Sequence, residues 1–291
     1  GYAEMSVCIY LPDGRVGFMF GRPSITSNAE MNAGGLRFDV VEPFERLEVR
    51  YEGTVCLLED PGQMADPRAA FRDNPSVDCH VALDWRGVSP MYGGRPVRAD
   101  GTDIEESTEH SFAKAHYEQH GAITGTITVD DVVLDLDALG LRDKSWGPRY
   151  WQALSWYRWL PMVFDEDFAM MLSIVGRDPE GTHVRAGGMV LAGDEYTLVR
   201  DCTIESDWDH DHRQTAMRCW ARTDDREYEV TGEVISLIPL RNRRTTPDGD
   251  QLFTRITEAM TRFECDGRHG IGMSEYLDQV VDGRPVGPDL S

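Results

Sequence analysis

The chain has 291 residues, 41% of them hydrophobic, and a formal net charge of −22. That length and apolar content bury a sizeable core, while no apolar run approaches the roughly 20 residues of a membrane-spanning helix. So large an excess of carboxylates repels phosphate backbones and anionic bilayers, which makes nucleic acid and membrane poor partners.

No basic and apolar leader opens the sequence, and a cytoplasmic location is expected. Cys8, Cys56, Cys79, Cys202, Cys219 and Cys265 are scattered with no C-x-x-C pair, and they read as buried free thiols. Only two of the 29 basic residues are lysines, Lys114 and Lys144.

Short alternating runs dominate in chain order. "SVCIYL" leads through the turn "PDGR" into "VGFMF", and "LEVRYEGTVCLLED" alternates over residues 47–60. "DPRAAFRDN" (66–74) has an Asp-Pro start and predicts one short helix. The polar, acidic stretch 97–110 reads as a long loop or lid. "SFAKAHYEQHG" (111–121) reads as strand, and "AITGTITV" meets "VVLDLDAL" across a "DD" turn. Beyond residue 150, "FAMMLSIVG", "VRAGGMVLAGDEYTLVRDCTIES" and "AMRCWARTDDREYEVTGEVISLIPL" continue the pattern with Gly/Asp turns. "LFTRITEAMTRFECDG" fits helix or strand, and "SEYLDQV" a closing strand or a turn of helix. Period-two runs with turns every 8–12 residues predict antiparallel hairpins. No strand–helix alternation calls for a doubly wound sheet. The fold class is all-β, as two tandem antiparallel β-barrel or sandwich domains, 1–150 and 151–291.

The stretch "LRDKSWGPRYW" (141–151) interleaves charges with large aromatics. As a strand it points Arg142, Lys144 and Trp146 one way and Asp143 and Ser145 the other, until Gly147-Pro148 ends regular pairing. Trp146, Trp151, Trp156 and Trp159 fall within fourteen residues, a density that suits the lining of an apolar pocket. From spacing alone, an interdomain hinge with core aromatics and buried paired charges is the favoured account.

Other groupings carry titratable chemistry. In "HYEQH", a strand places His116, Glu118 and His120 on one face and Tyr117 and Gln119 on the other. Such a face is an acid/base cluster, a metal site or a solvated strand surface. "DWDHDH" (207–212) has metal-type residues but reads as a solvated turn, and "FDED" (164–167) as a hairpin tip. No G-x-S-x-G, H-E-x-x-H or Walker loop occurs, which disfavours serine hydrolases, zincins and P-loop NTPases.

"RDKSWGPR" resembles the D-H-x-W-G signature of the lipocalin-like superfamily that includes AttH-type proteins, bacterial carotenoid hydratases, tocopherol cyclase and fungal Diels–Alderases. The similarity is strongest to a bacterial branch with the pattern R-D-H-S-W-G-P-R. It extends to "EPFERLEVRYEGTVCLLEDP", "HYEQHGAITGTI" and "GIGMSEYLDQV", and so covers most of the chain. The resemblance implies two lipocalin-like domains, a hydrophobic small-molecule substrate, and chemistry with no metal and no organic cofactor. Asp143 and Trp146 match the signature's Asp and Trp, whereas Lys144 stands where its His would be. Lysine does not replace histidine as a neutral-pH acid or base unless burial lowers its pKa, and it suits chemistry beside a carbonyl better.

The expected function is a cofactor-independent enzyme acting on a terpenoid, steroid or polyketide-like substrate by hydration or dehydration, isomerisation or cyclisation. A non-catalytic carrier of a hydrophobic molecule is the alternative. Asp143, Lys144, His116 and Glu118 are the candidate catalytic residues. Trp146, Arg149, Tyr117, Trp151, Trp156 and Glu275 are the candidate substrate contacts. A homodimer stays open.

Overall fold

The computed structural model describes residues 1–27, 29–94, 102, 112–147 and 149–287. The expected acidic loop at 97–110 falls, apart from Thr102, outside the described residues, as does Pro148 of the central motif.

The first strands are β1 (Met5–Tyr10), β2 (Val16–Gly21), β3 (Asn32–Ala33), β4 (Leu36–Glu42) and β5 (Arg46–Leu58). Helix α1 (Pro67–Asp73) follows, opened by an Asp66 carboxylate that accepts from the Ala69 amide and by Pro67 in the first turn. Next come β6 (Ser76–Gly87), β7 (Tyr92–Gly94), β8 (Ala115–Val129) and β9 (Val132–Trp146). The remainder is β10 (Trp156–Asp165), β11 (Phe168–Gly176), β12 (Val184–Ala192), β13 (Glu195–Val199), β14 (Asp201–Trp208), β15 (Gln214–Arg222), β16 (Glu227–Thr245), β17 (Gln251–Cys265), β18 (Arg268–Val281) and β19 (Arg284–Pro285). Both ambiguous closing segments are therefore strands, because their period-two faces find partners on either side.

Two antiparallel sheets result. One runs β1-β2-β5-β6-β8-β7, with β4 on β5 and β9 on β8. The other runs β13-β12-β11-β10-β18-β17-β16-β15-β14. The all-β expectation holds. Among the described residues the six cysteines are unbridged and five are buried, as expected. Among the described residues no helix is long and apolar enough to cross a membrane.

The chain divides into two compact units: residues 1–88 with 121–140, and residues 89–120 with 141–291. The division falls inside β8 and β9. Residues 89–120 and 141–150, N-terminal of the expected boundary, thus cluster with the second unit. The first unit is packed around Ile9, Leu11, Tyr51, Val55, Leu57 and Val81. In the second, β14 packs near β11 and β12, and the Cys202 thiol of β14 reaches the carbonyls of Ser173 and Gly187 on those strands.

The ten-stranded sheet sorts its side chains by parity, as a pleated strand must. Trp156, Leu160 and Met162 of β10 join Met170, Leu172, Phe263 and Tyr276 in the main core. Tyr157 and Trp159 face the other way, with Leu277, Ile256, Phe112, Trp151 and Leu240. A tight contact anchors this arrangement. The Trp156 ring covers Gly176, its cross-strand partner, so closely that an added Cβ would sit 2.1 Å from the indole. The first unit repeats the device, with Trp85 over Gly121 at 2.2 Å.

Candidate functional site

The first residues of β8 carry the polar face read from "HYEQH". It is not a solvated surface: Glu118 is 0% exposed and His120 1%. Tyr92 of β7 pairs directly with Glu118, and Tyr196 covers Tyr92 edge to face at 5.9 Å between ring centroids.

His116 is the accessible member. Its side chain is 43% exposed, and Nε2 lies 2.9 Å from Asp143 Oδ1 and 3.6 Å from Glu118 Oε1. Its Nδ1 has no hydrogen-bond partner among the described residues. Burial opposes protonation of the imidazole, but its hydrogen bond to the Asp143 carboxylate and the charges of Asp143 and Glu118 outweigh it, and the His116 pKa is raised.

Glu118 lies beneath this pair. Trp159 Nε1 donates to Glu118 Oε1 at 2.8 Å, while Oε2 is buried without a partner among the described residues. Burial pushes the carboxyl up to about 7, against the lowering effects of His116 and of the Trp159 hydrogen bond. His120, two residues on, is driven down to about 4 by burial. Its Nδ1 meets the Tyr196 hydroxyl at 2.9 Å, and that hydroxyl meets Ser89 Oγ at 2.6 Å. His120 is therefore neutral at physiological pH and braces the strand.

The central motif splits by parity, as expected. Asp143 faces His116. On the other side, Arg142 donates to the Tyr117 hydroxyl and stacks on its ring, and Trp146 meets Tyr117 edge to face at 6.2 Å. Lys144 shares the parity of Arg142 and Trp146 and is exposed. The structure thus brings His116, Glu118 and Asp143 together and sets Lys144, Trp146 and Tyr117 on the opposite strand face. Arg149 donates to Ser145 Oγ at 2.6 Å and lies 4.0 Å over the Phe112 ring, with Trp151 at 5.6 Å. Trp156 points into the core and is 3% exposed.

Three groups of this neighbourhood were missed by the sequence reading. Trp159 was noted only as one of four clustered tryptophans, yet it is the hydrogen-bond donor to Glu118. Tyr157 donates to Glu275 Oε1. Glu258 stands directly opposite Glu275 across β17 and β18. A signal for Glu258 existed: the alternation of "TRITEAMTRFEC" puts it on one face between Ile256 and Met260, an acid flanked by two apolar residues.

The metal-type residues of "DWDHDH" fall between β14 and β15 in an exposed turn. The reactive atoms of Asp209, His210 and Asp211 lie within 4.8 Å of one another. Asp209 Oδ1 there accepts from the Asp211 and Arg213 amides, the hydrogen bonds of a turn.

The family model described as "Domain of unknown function (DUF7064)" matches residues 1–280. The chain belongs to this family. No curated protein matches the sequence. Among solved structures, this DUF7064 chain is similar to a protein from Nitrosomonas europaea described as AttH, at 13% identity and TM-score 0.50, over 90% of this chain and 79% of that one. It is also similar to CghA crystallised with Sch210972, at 12% identity and TM-score 0.50, over 94% and 79%. Kievitone hydratase from Nectria haematococca aligns at 10% identity and TM-score 0.49, over 95% and 81%. The AttH and CghA likenesses bear out the lipocalin-like, AttH-type fold expected from "RDKSWGPR".

Proposed function

We propose that the protein is a cofactor-independent enzyme that moves protons on a hydrophobic, terpenoid- or steroid-like substrate, by hydration or dehydration, isomerisation or cyclisation. The observation that carries this reading is the His116–Asp143 pair set on buried Glu118. Asp143 holds the Nε2 proton of His116 and stabilises the imidazolium. Nδ1 then exchanges a proton with the substrate, the role a carboxylate-oriented histidine serves in acid–base catalysis. Glu118 sets the charge beneath the ring. Burial pushes its carboxyl up to about 7, and its charge when ionised favours the protonated form of His116.

The surroundings suit an apolar substrate that develops positive charge. Phe112, Trp151, Tyr157 and Trp159 supply aromatic surface on the same side of the second unit, and a ring face stabilises a cation by about 0.5–2 kcal/mol. CghA, a protein of this fold, was crystallised with the small molecule Sch210972, which is compatible with an organic ligand here.

The test is mass spectrometry of small molecules that copurify with the protein. It is followed by incubation with linalool, lycopene and a β,γ-unsaturated steroid ketone, using wild type and His116→Asn. Turnover by wild type and its loss in the variant are expected. An apolar ligand that copurifies and binds both proteins equally, with no turnover by either, would identify a carrier instead.

A further inference from the structure

Glu258 and Glu275 are directly opposed in register on β17 and β18, where the Cβ atoms of antiparallel neighbours lie about 4.5–5.5 Å apart and like charges repel. On its other side the cross-strand partner of Glu275 is Trp159 of β10. Tyr157 donates to Glu275 Oε1, and the positive charge of Arg149 also favours its ionised form. The pair shares its sheet face with Tyr157, Trp159, Ile256 and Leu277, and both glutamates keep partial solvent access. Trp159 connects them to the site above, because its indole N–H holds Glu118, the carboxyl 3.6 Å from His116.

We infer that Glu258 and Glu275 hold one proton between them and form the second proton-transfer group of the site, acting on the same substrate as His116 from the other side of Trp159. The inference rests on the enzymatic reading above and deepens it, because it assigns two separate positions on the substrate to two separate groups. Two carboxyls directly opposed across a largely apolar sheet face resist ionising together. Burial pushes Glu258 up to about 8, with the Glu275 charge adding to the rise. Burial likewise raises Glu275, opposed by the Tyr157 hydrogen bond and Arg149 and aided by Asp143. The titratable and charged groups facing the pair include Tyr157 of β10, Asp143 of β9 and Arg149.

The chemistry balances with these groups alone. In isomerisation, the ionised carboxyl of the pair removes a proton from a C–H beside an alkene or carbonyl. The electron pair shifts along the chain, and His116 delivers its Nδ1 proton at the far end. The glutamate pair gains the proton that His116 loses, and exchange with water restores both. In dehydration, His116 protonates a substrate hydroxyl and the C–O bond breaks to release water. The pair then takes the proton from the neighbouring carbon as the double bond forms, and hydration is the reverse. The substrate class is a hydrophobic alcohol or ketone with an alkene or an acidic C–H close to the oxygen function.

Two measurements on the full chain test this. The first is a carbon-13 NMR titration of glutamate-labelled protein. One carboxyl of the pair is expected to stay protonated at neutral pH, and Glu258→Gln is expected to move Glu275 toward the ordinary carboxylate range. Two carboxyls ionised independently at neutral pH would overturn the shared proton. The second follows deuterium entry from D2O into the β,γ-unsaturated steroid ketone. Glu258→Gln and Glu275→Gln are each expected to cut turnover by about a hundredfold with circular dichroism unchanged. They should also remove the limb of the pH–rate profile that reports the pair, and Glu258→Asp should restore part of the rate. Wild-type rates in both Gln variants would overturn the assignment while leaving His116 in place. No turnover by wild type would contradict the enzymatic reading and the pair's role together, and the titration would still report on the shared proton.

Discussion

His116 Nε2 and Asp143 Oδ1 lie 2.9 Å apart, joining the start of β8 to the end of β9. Asp143→Asn keeps the shape and removes the charge, so the His116 pKa is expected to fall, read as the shift of its ring proton resonances with pH. The stability consequence follows in sign. A histidine whose pKa is raised on folding stabilises the fold fully below its ordinary value of 6.5, and the contribution is lost as pH rises through the folded value. Both side chains are more than a third exposed, so solvent screening holds this below about 1 kcal/mol. An unchanged His116 titration in Asp143→Asn would remove Asp143 from the account.

Glu118 has a linkage of the same sign from a different cause, since burial favours its neutral form. Its carboxyl rises from 4.5 to about 7 on folding, so the folded state binds more protons than the unfolded chain between those values. Stability therefore declines with increasing pH across that window. Glu118→Gln keeps an acceptor for Trp159 and removes the titration. Urea denaturation should show the variant gaining on wild type from pH 4.5 to about 7, by something on the order of 1–3 kcal/mol at the upper end. A constant difference at all pH values would contradict the burial argument.

The all-β fold was legible because it rests on period-two patterning and turn chemistry, both local properties of the chain. The faces of "HYEQH" and "RDKSW" were legible for the same reason, and the structure keeps both parities. Burial was less so. Glu118 reads equally well on a wet surface or in a closed one, because what covers it is Trp159, 41 residues away, and Tyr92 on a neighbouring strand. Glu258 and Glu275 meet only through the β17–β18 register, which no local pattern specifies. The tryptophan density drew attention to one aromatic group, yet strand alternation sends Trp156 into the core and Trp159 to the site.

The buried Arg158–Asp278 pair is a structural support behind the site. Arg158 is 1% exposed, donates to Asp278 at 3.1 Å, and lies 4.5 Å from the centre of the Tyr276 ring. Arg255 donates to the other carboxylate oxygen at 3.2 Å. Asp278→Asn leaves two guanidinium groups facing a neutral amide, and a loss of about 3–5 kcal/mol is expected in urea denaturation. A loss under about 1 kcal/mol would show that the charges are compensated elsewhere.

Lys144 occupies the signature position where a histidine was expected, but it is exposed and on the strand face away from His116. Lys144→Ala is expected to keep the wild-type rate and pH–rate profile within about twofold. A rate loss of more than about tenfold, with the fold intact, would place the lysine in the chemistry and require a rearranged β9.

The central claim is that His116, oriented by Asp143, exchanges protons with a hydrophobic substrate. The most direct measurement is deuterium incorporation from D2O into the β,γ-unsaturated steroid ketone, by mass spectrometry, with wild type and His116→Asn side by side. The account predicts incorporation by wild type and a drop of about a hundredfold or more in the variant. Equal incorporation by the two proteins would contradict it.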